Sequence, residues 1–141
     1  MELNDKYSEL LHSLEDALID FKRSLDADLL KYDQLEQNWI KNAQIQKFEF
    51  CIELLWKTAK VYFESEGEIH LTPRQNMKAI FTHQMVTEEK YLELLDCLES
   101  RNLLSHVYKA EMFDVISLKM EMHFAAILSG FNGLKNAGAK V

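Results

Sequence analysis

The pattern that decides the fold begins in residues 4–31, which read NDKYSELLHSLEDALIDFKRSLDADLLK. Apolar side chains recur there at alternating steps of four and three residues: Leu10, Leu14, Ala17, Phe21, Leu25 and Leu29. This spacing puts them on one side of a helix, and charged residues fill the other side. At about 1.5 Å per residue, such a helix would be roughly 40 Å long. The stretch therefore predicts one long amphipathic helix.

Similar stripes continue along the rest of the chain, after a polar corner at residues 33–38. Apolar spacing predicts further helices at about 39–65 and 73–84, from about 88, and at about 109–132. The short helix has a clear start, because Thr72 can cap free backbone N–H groups and Pro73 is tolerated in the first helical turn. We expect a frayed tail over residues 133–141.

Composition agrees with a helical domain and excludes several classes of protein. The 141 residues include only 4 Gly and 1 Pro, too few for the many turns of an all-β domain. We therefore predict an all-α fold in a single domain of residues 1–141, an antiparallel up-and-down bundle of four long helices plus one short helix. The formal net charge of −7 argues against a protein that coats nucleic acid or anionic lipid, although it leaves room for a local phosphate site.

Cysteine and histidine spacing predicts neither disulfides nor a metal site. Cys51 and Cys97 form no Cys-x-x-Cys pair, and without a secretory leader we expect reduced thiols in a cytoplasmic protein. No apolar run approaches the roughly 18 residues of a membrane span. We expect no metal and no cofactor. Four histidines lack the paired spacing of metal ligands, and such residues ordinarily lie at surface or half-buried positions: His12, His70, His83 and His123.

The residues best suited to chemistry cluster at positions 99–108, ESRNLLSHVY, where the long apolar stripes pause. Arg101 is always charged, and its planar fork matches two phosphate oxygens. His106 titrates near neutrality and can take and return a proton. Asn102 and Ser105 can orient a substrate or cap a helix end. On an unbroken helix Arg101 and His106 would be about 140° apart, so their convergence requires a chain break, which we predict between them.

The same stretch also fits a plain polar corner between two helices. In that interpretation Arg101 pairs with Glu99, and His106 and Tyr108 are half buried. Arg74 presents a similar choice, since it could join an anion at the start of the short helix, whereas an exposed ion pair is the ordinary role of such an arginine. The residue types alone therefore leave a binding site and a structural corner open.

A resemblance to a known family bears on this choice. The stretch resembles the signature of the HEPN family, since it reads Arg101-Asn102-x-x-x-His106-x-Tyr108 just before a final long helix. It is similar in particular to the small bacterial subunits known as nucleotidyltransferase substrate-binding proteins, which the LTPRQ sequence of residues 71–75 also fits. The resemblance implies a homodimer that associates with a minimal nucleotidyltransferase encoded by an adjacent gene.

In the toxin–antitoxin version of such pairs, the HEPN subunit is a metal-independent endoribonuclease. The resemblance then implies that His106 is the acid/base for attack by an RNA 2′-OH, and that Arg101 stabilises the charged phosphorane. Asn102, Ser105 and Lys109 would bind the RNA or nucleotide in a cleft shared by two protomers. One motif supplies only one Arg and one His, which makes a shared cleft physically attractive.

Tyr108 would be the residue that the partner nucleotidyltransferase adenylylates, because a nucleotide there adds bulk and negative charge that block RNA. The alternative is a non-catalytic substrate-binding or docking subunit of a two-component nucleotidyltransferase. The acidic net charge favours this alternative, since an RNase usually gathers basic side chains around its groove, whereas the nearby Lys109 and Lys119 keep the endoribonuclease viable. Whether the protein is an enzyme thus stays open at the level of sequence.

Overall fold

The computed structural model describes the backbone of residues 3–106 and 110–139 and the side chains of residues 4–105 and 111–139. It contains six α-helices: α1 (Leu3–Leu25), α2 (Gln34–Ser65), α3 (Pro73–Thr82), α4 (Glu88–His106), α5 (Ala110–Ser117) and α6 (Met120–Ala139). The predicted all-α bundle is confirmed, with α1, α2, α4 and α6 as its four long helices. None of the described helices is long and apolar enough to cross a membrane.

Helices α1 and α2 form an antiparallel hairpin. Tyr7 near the start of α1 contacts Tyr62 near the end of α2, with ring centroids 5.5 Å apart. Further along the hairpin, Phe21 contacts Phe48 at 6.5 Å. Aromatic contacts of this kind add to the burial of the rings themselves.

The corner of this hairpin comes earlier than the sequence analysis placed it. The first helix ends at Leu25 rather than near residue 31, and the connection occupies residues 26–33 instead of 33–38. Asp33 begins α2 with a capping box, in which the Glu36 N–H donates to Asp33 Oδ1 (2.8 Å) and the Asp33 N–H donates to Glu36 Oε1 (3.2 Å). The polar residues expected to form a loop are therefore the first turn of a helix.

The core lies between α1, α2, α4 and α6, and α3 packs across α2 and α4. Its largest fully buried side chains come from every one of these helices: Leu14, Phe21, Phe48, Ile52, Leu55, Phe63, Met77, Ile80, Leu94, Met120, Ile127 and Leu134. Burial of each such side chain contributes roughly 1.5–3 kcal/mol. The packing of α3 against α4 leaves a cleft between the start of α3 and α4.

The C-terminal region departs from the prediction in two ways. The expected helix at about 109–132 is divided into α5 and α6, so the bundle has a second short helix. The frayed tail predicted from residue 133 is wrong for residues 133–139, because α6 continues to Ala139. Leu134 is fully buried, and the Tyr7 hydroxyl donates a hydrogen bond to its carbonyl oxygen. These contacts attach the end of α6 to the start of α1.

Gly133 also contributes to this packing, since it allows α6 to approach the loop before α4. A Cβ atom at this position would lie 2.5 Å from the carbonyl oxygen of Met85, closer than real Cβ contacts. Glycine is therefore required there by the close approach of two backbones.

Candidate functional site

Helix α4 carries Arg101 and Asn102 and is continuous through His106. The predicted break between Arg101 and His106 is therefore wrong. Ser105 does not start a new helix, because its hydroxyl donates to the Arg101 carbonyl oxygen (3.0 Å), a bond that serine forms within a helix. The backbone positions of Arg101 and His106 are consequently about 140° apart around the axis of α4.

Three residues of the predicted site lie wholly or partly outside the described residues. His106 is the last residue of α4 among those described, but its side chain is not described, and Tyr108 and Lys109 are outside the described residues altogether. Their predicted roles in acid/base catalysis, adenylylation and substrate binding stay predictions. The site that can be described is the part of α4 up to Ser105 with the elements packed around it.

Arg101 pairs with a residue that the sequence analysis did not anticipate. Its Nε is ion-paired with Oε1 of Glu53 on α2, whereas the polar-corner interpretation expected Glu99. The two side chains are 27% and 32% exposed. Glu53 Oε2 also accepts a hydrogen bond from Trp56 Nε1–H (3.1 Å), and Lys57 Nζ lies 3.9 Å from it. Glu53 is thus held by neighbours on α2 and reaches α4 through Arg101.

This ion pair leaves hydrogen-bonding capacity on Arg101. A guanidinium has five N–H donors, and one carboxylate engages at most two of them side by side. A second carboxylate, Glu49, is within electrostatic reach: burial raises its pKa above the ordinary value, and the charge of Arg101 acts in the opposite direction. Among the described residues Arg101 therefore has one ion-pair partner, and its guanidinium has further N–H donors that can bind an anion.

Arg101 and Asn102 line a cleft of about 610 Å³ between α4 and the start of α3. The polar residues of its lining are Thr72, Arg74, Asp96, Glu99, Arg101 and Asn102. The apolar residues are Pro73, Leu92, Leu95 and Leu98. Its volume is within the range of small-molecule sites, about 300–1,000 Å³.

The start of α3 is fixed by a compact hydrogen-bond network. Thr72 Oγ1 accepts from the Gln75 N–H (3.1 Å), and Gln75 Oε1 accepts from the Thr72 N–H (3.2 Å). Asn76 is fully buried, and its Nδ2 donates to the carbonyl oxygens of His70 (3.0 Å) and Thr72 (2.9 Å). The predicted Thr-Pro helix start is confirmed, and these bonds set the backbone from which Arg74 extends.

Arg74 is the cleft residue whose role the sequence left open. The structure finds no ion pair for it among the described side chains, although an exposed pair was the ordinary expectation. It lines the same cleft as Arg101 instead. In the sequence, Arg74 is marked only by its position directly after Thr72-Pro73, and that position does not reveal that α3 packs on α4.

The charges around the cleft nearly balance. Arg74 and Arg101 are offset by Asp96 and Glu99 within the lining. Asp96 also pairs with Lys119, which follows α5, and Lys119 Nζ is 3.2 Å from both of its carboxylate oxygens. A lining of this kind lacks the strongly basic field of a surface that tracks long nucleic acids. It is better suited to a small ligand with both anionic and neutral polar groups.

A buried histidine was missed by the sequence analysis, which expected a surface or half-buried position. His123 is fully buried, its Nε2 lies 2.8 Å from Ser100 Oγ, and its ring stacks on Phe48 with centroids 4.9 Å apart. Burial lowers the pKa of His123 to about 4, so the ring is neutral at pH 7. Through its contact with Ser100 it is a structural part of the α4–α6 packing.

The histidines, acidic residues and cysteines elsewhere in the described structure bear on metal binding and on disulfide formation. Across residues 4–105 and 111–139, no three His, Cys, Asp or Glu side chains are grouped in a way that could hold a metal ion. Glu68 pairs with His70 (3.2 Å), which precedes α3, and with His83 (2.8 Å), which follows it. Cys51 and Cys97 are buried free thiols.

Comparison with known proteins identifies the family. A sequence model of proteins described as "nucleotidyltransferase substrate binding protein like" matches residues 9–133, which include both arginines of the cleft. The chain belongs to this family. No curated protein matches this member of the substrate-binding family. The match confirms the predicted resemblance to nucleotidyltransferase substrate-binding proteins.

The fold of this substrate-binding family member also occurs among solved structures. A protein of Thermus thermophilus, known from a crystal structure, matches with a TM-score of 0.72 and 21% sequence identity. The match covers 86% of this chain and 98% of that chain. At this level of identity the likeness concerns the fold alone.

Proposed function

We propose that the protein is the substrate-binding or docking subunit of a two-component nucleotidyltransferase, and that its α3–α4 cleft holds a phosphate-bearing group for the partner enzyme. The observation that carries this proposal is Arg101, whose partly exposed guanidinium lines the cleft beside Asn102 while Glu53 engages only part of it. The family description, which names substrate binding for a nucleotidyltransferase, points in the same direction.

The chemistry of the cleft supports a binding role. The planar fork of Arg101 can donate two parallel hydrogen bonds to phosphate oxygens, and an adjacent Asn102 can donate a third through its amide. The near balance of charge in the lining limits attraction of a long polyanion. A compact phosphate compound that gains several directed hydrogen bonds is the ligand that such a site favours.

The unbroken course of α4 argues against catalysis within one protomer. A nucleophile-activating imidazole and a phosphorane-stabilising guanidinium must reach the same phosphate. The helix separates the backbone positions of Arg101 and His106 by about 140°. In a single chain Arg101 therefore lines the cleft while the backbone of His106 lies on another face of α4, an arrangement that fits a binding subunit.

The second candidate is the metal-independent endoribonuclease of a toxin–antitoxin pair, and one observation favours it. Arg101 and Asn102 line a cleft, and the same helix carries His106 five residues after Arg101. If two protomers form a homodimer along α4, Arg101 of one can meet His106 of the other. His106 would take the proton of the RNA 2′-OH as its oxygen attacks phosphorus and the 5′-oxygen leaves, giving a 2′,3′-cyclic phosphate.

In this second candidate the partner minimal nucleotidyltransferase, encoded by the adjacent gene, would silence the RNase by adenylylating Tyr108. Ser105 and Lys109 would then line the RNA path with Asn102. The negative charge and bulk of the added nucleotide would exclude RNA from the shared cleft.

The test uses the full chain and its Arg101→Ala, His106→Ala and Arg23→Ala variants. Arg23 is an exposed arginine on α1 and serves as the matched control for loss of one guanidinium. Each protein is mixed with the minimal nucleotidyltransferase and examined for a complex by size-exclusion chromatography with light scattering. Each is also incubated with RNA in chelator and assayed for fragments ending in 2′,3′-cyclic phosphate.

The binding-subunit proposal predicts a stable complex and no such fragments from any of the four proteins. Cleavage by the wild type and Arg23→Ala that both Arg101→Ala and His106→Ala abolish would overturn it in favour of the endoribonuclease. Absence of any complex with the nucleotidyltransferase would contradict both candidates.

A further inference from the structure

We infer that the outer face of the α1–α2 hairpin docks the partner nucleotidyltransferase, by receiving an amphipathic helix of that enzyme whose apolar stripe is flanked by lysine or arginine. This inference rests on the proposed function, because it names the surface through which the two components associate. The surface, called the hairpin face from here on, consists of Leu35, Trp39 and Phe50 on α2, Ile19 on α1 and the groove between the two helices. The groove shares no lining residue with the α3–α4 cleft.

Three large apolar side chains form a row along α2. Leu35, Trp39 and Phe50 are 59%, 60% and 61% exposed. At about 100° per residue they fall within about 60° of one another around the helix axis, and the row is about 22 Å long. Single exposed apolar residues are ordinary on a protein surface, whereas an aligned row of large ones is typical of an interaction site.

A groove gives the hairpin face a concave part. It has a volume of about 1210 Å³ and is lined by Phe50 from α2 and by Ile19 from α1, which is 48% exposed. The two helices that border it are held together by the contact of Phe21 with Phe48 and by the ion pair of Lys47 with Asp20. A groove with apolar side chains on both borders is suited to the apolar stripe of an amphipathic helix.

The groove is acidic. Its lining contains four carboxylates and two cations: Asp16, Asp20, Glu49, Glu53, Arg23 and Lys47. Glu49 is half-buried and has no ion-pair partner among the described side chains. Burial raises its pKa above the ordinary value, although the charge of Arg101 acts in the opposite direction. A lysine or arginine supplied by a partner would compensate this carboxylate.

The same charges select one occupant among the possible ones. A second copy of this chain brings no surplus of cations, because residues 33–39 at the other end of the hairpin face include Asp33 and Glu36 but no lysine or arginine. A twofold contact centred on the groove would place its carboxylates against one another. An anionic lipid surface would also be repelled by them. A different protein with basic residues beside an apolar stripe matches both the row and the charge.

The test measures the dissociation constant of the complex between the full chain and the minimal nucleotidyltransferase by isothermal titration calorimetry. Trp39→Ser and Phe50→Ser each remove one aromatic anchor, and Leu118→Ser, at a leucine that is 86% exposed beyond α5, is their matched control. Glu49→Lys reverses the charge of the unpaired carboxylate, and Glu64→Lys near the end of α2 is its control. Circular dichroism confirms that each variant is folded.

We expect Trp39→Ser and Phe50→Ser each to weaken the complex at least about tenfold, because large aromatic side chains dominate the affinity of protein interfaces. Glu49→Lys should weaken it about three- to tenfold and make it less sensitive to added salt. The two control variants should change the affinity less than about twofold. Affinities of Trp39→Ser and Phe50→Ser equal to that of the wild type would overturn the inference.

These outcomes separate the inference from the proposed function. If the wild type forms no complex with the nucleotidyltransferase, the proposed function fails. If the complex forms and neither aromatic substitution weakens it, the inference fails and the proposed function stands.

The other two occupants are tested with the same variants. Light scattering of the chain alone measures self-association, and flotation with vesicles of phosphatidylcholine and phosphatidylserine measures binding to lipid. A homodimer or a vesicle-bound state that Trp39→Ser abolishes, with the enzyme complex unchanged, would overturn the inference in favour of that occupant.

Discussion

Arg101 on α4 is ion-paired with Glu53 on α2, so the arginine that the sequence analysis assigned to a phosphate has a carboxylate partner within the protein. The pair is partly solvent-exposed, and its contribution to stability is below about 1 kcal/mol. Its larger effect is on charge, because the carboxylate weakens the attraction of Arg101 for an anion in the cleft.

Glu53→Gln is therefore expected to tighten binding of inorganic phosphate about three- to tenfold, since the amide keeps an oxygen acceptor for Arg101 and removes the competing negative charge. Isothermal titration calorimetry at low ionic strength measures this change. Glu64→Gln, which removes the same charge elsewhere on α2, is the control. Weaker phosphate binding by Glu53→Gln than by wild type would show that Glu53 positions Arg101 instead of competing for it.

His123 makes stability depend on pH in a defined direction. Its pKa falls from an ordinary value of 6.5 to about 4 in the folded protein, so the unfolded chain binds more protons between these values. The contribution of neutral His123 to the free energy of unfolding is therefore complete above about pH 6.5 and decreases as the pH falls towards 4. The shift corresponds to a loss of up to about 3 kcal/mol.

Urea unfolding at a series of pH values between 4 and 7 measures this loss, with His123→Gln as the comparison. Glutamine keeps a polar group for Ser100 but does not titrate, so the variant should have a shallower decrease in the free energy of unfolding. Acidic groups remote from His123 titrate alike in both proteins and cancel in the difference, whereas Asp96 and Glu93 interact with His123 itself. Equal slopes in the two proteins would contradict the role assigned to His123.

The ordered end of α6 is tested by Leu134→Ala. This side chain is fully buried, and its removal should lower the free energy of unfolding by about 2–4 kcal/mol. Lys135→Ala, at the next position and exposed, should cost less than about 1 kcal/mol. Chemical denaturation of both variants provides the measurement, and a neutral Leu134→Ala would restore the frayed tail that the sequence suggested.

The helices were predictable because the burial of residues such as Leu14 and Phe21 follows the helical period, and burial is the dominant stabilising term. The ends of the helices were harder to predict from the sequence, since each end depends on one or two individual contacts. The capping pair of Asp33 and Glu36 consists of polar residues that also occur in loops. The order of residues 133–139 depends on Tyr7, which is at the opposite end of the chain.

The roles predicted for the candidate site stay predictions, and only the positions of its residues can be compared with the structure. Arg101 and Asn102 were identified from residue type and spacing, and the described cleft includes both. Glu53 and Arg74 became neighbours of this motif only through the packing of α2 and α3 on α4, which no local pattern encodes. The break expected after Arg101 failed because Ser105 bonds back into the helix rather than ending it.

The central claim, that Arg101 binds a phosphate group in the α3–α4 cleft, is tested most directly by the Nε–H resonances of the three arginines in a ¹H–¹⁵N NMR spectrum. Single Arg→Lys variants assign the signals of Arg23, Arg74 and Arg101. On titration with inorganic phosphate, the account predicts a saturable shift of the Arg101 signal and no saturable shift of the Arg23 signal. An Arg101 signal that stays unchanged, or that moves only as Arg23 does, would contradict it.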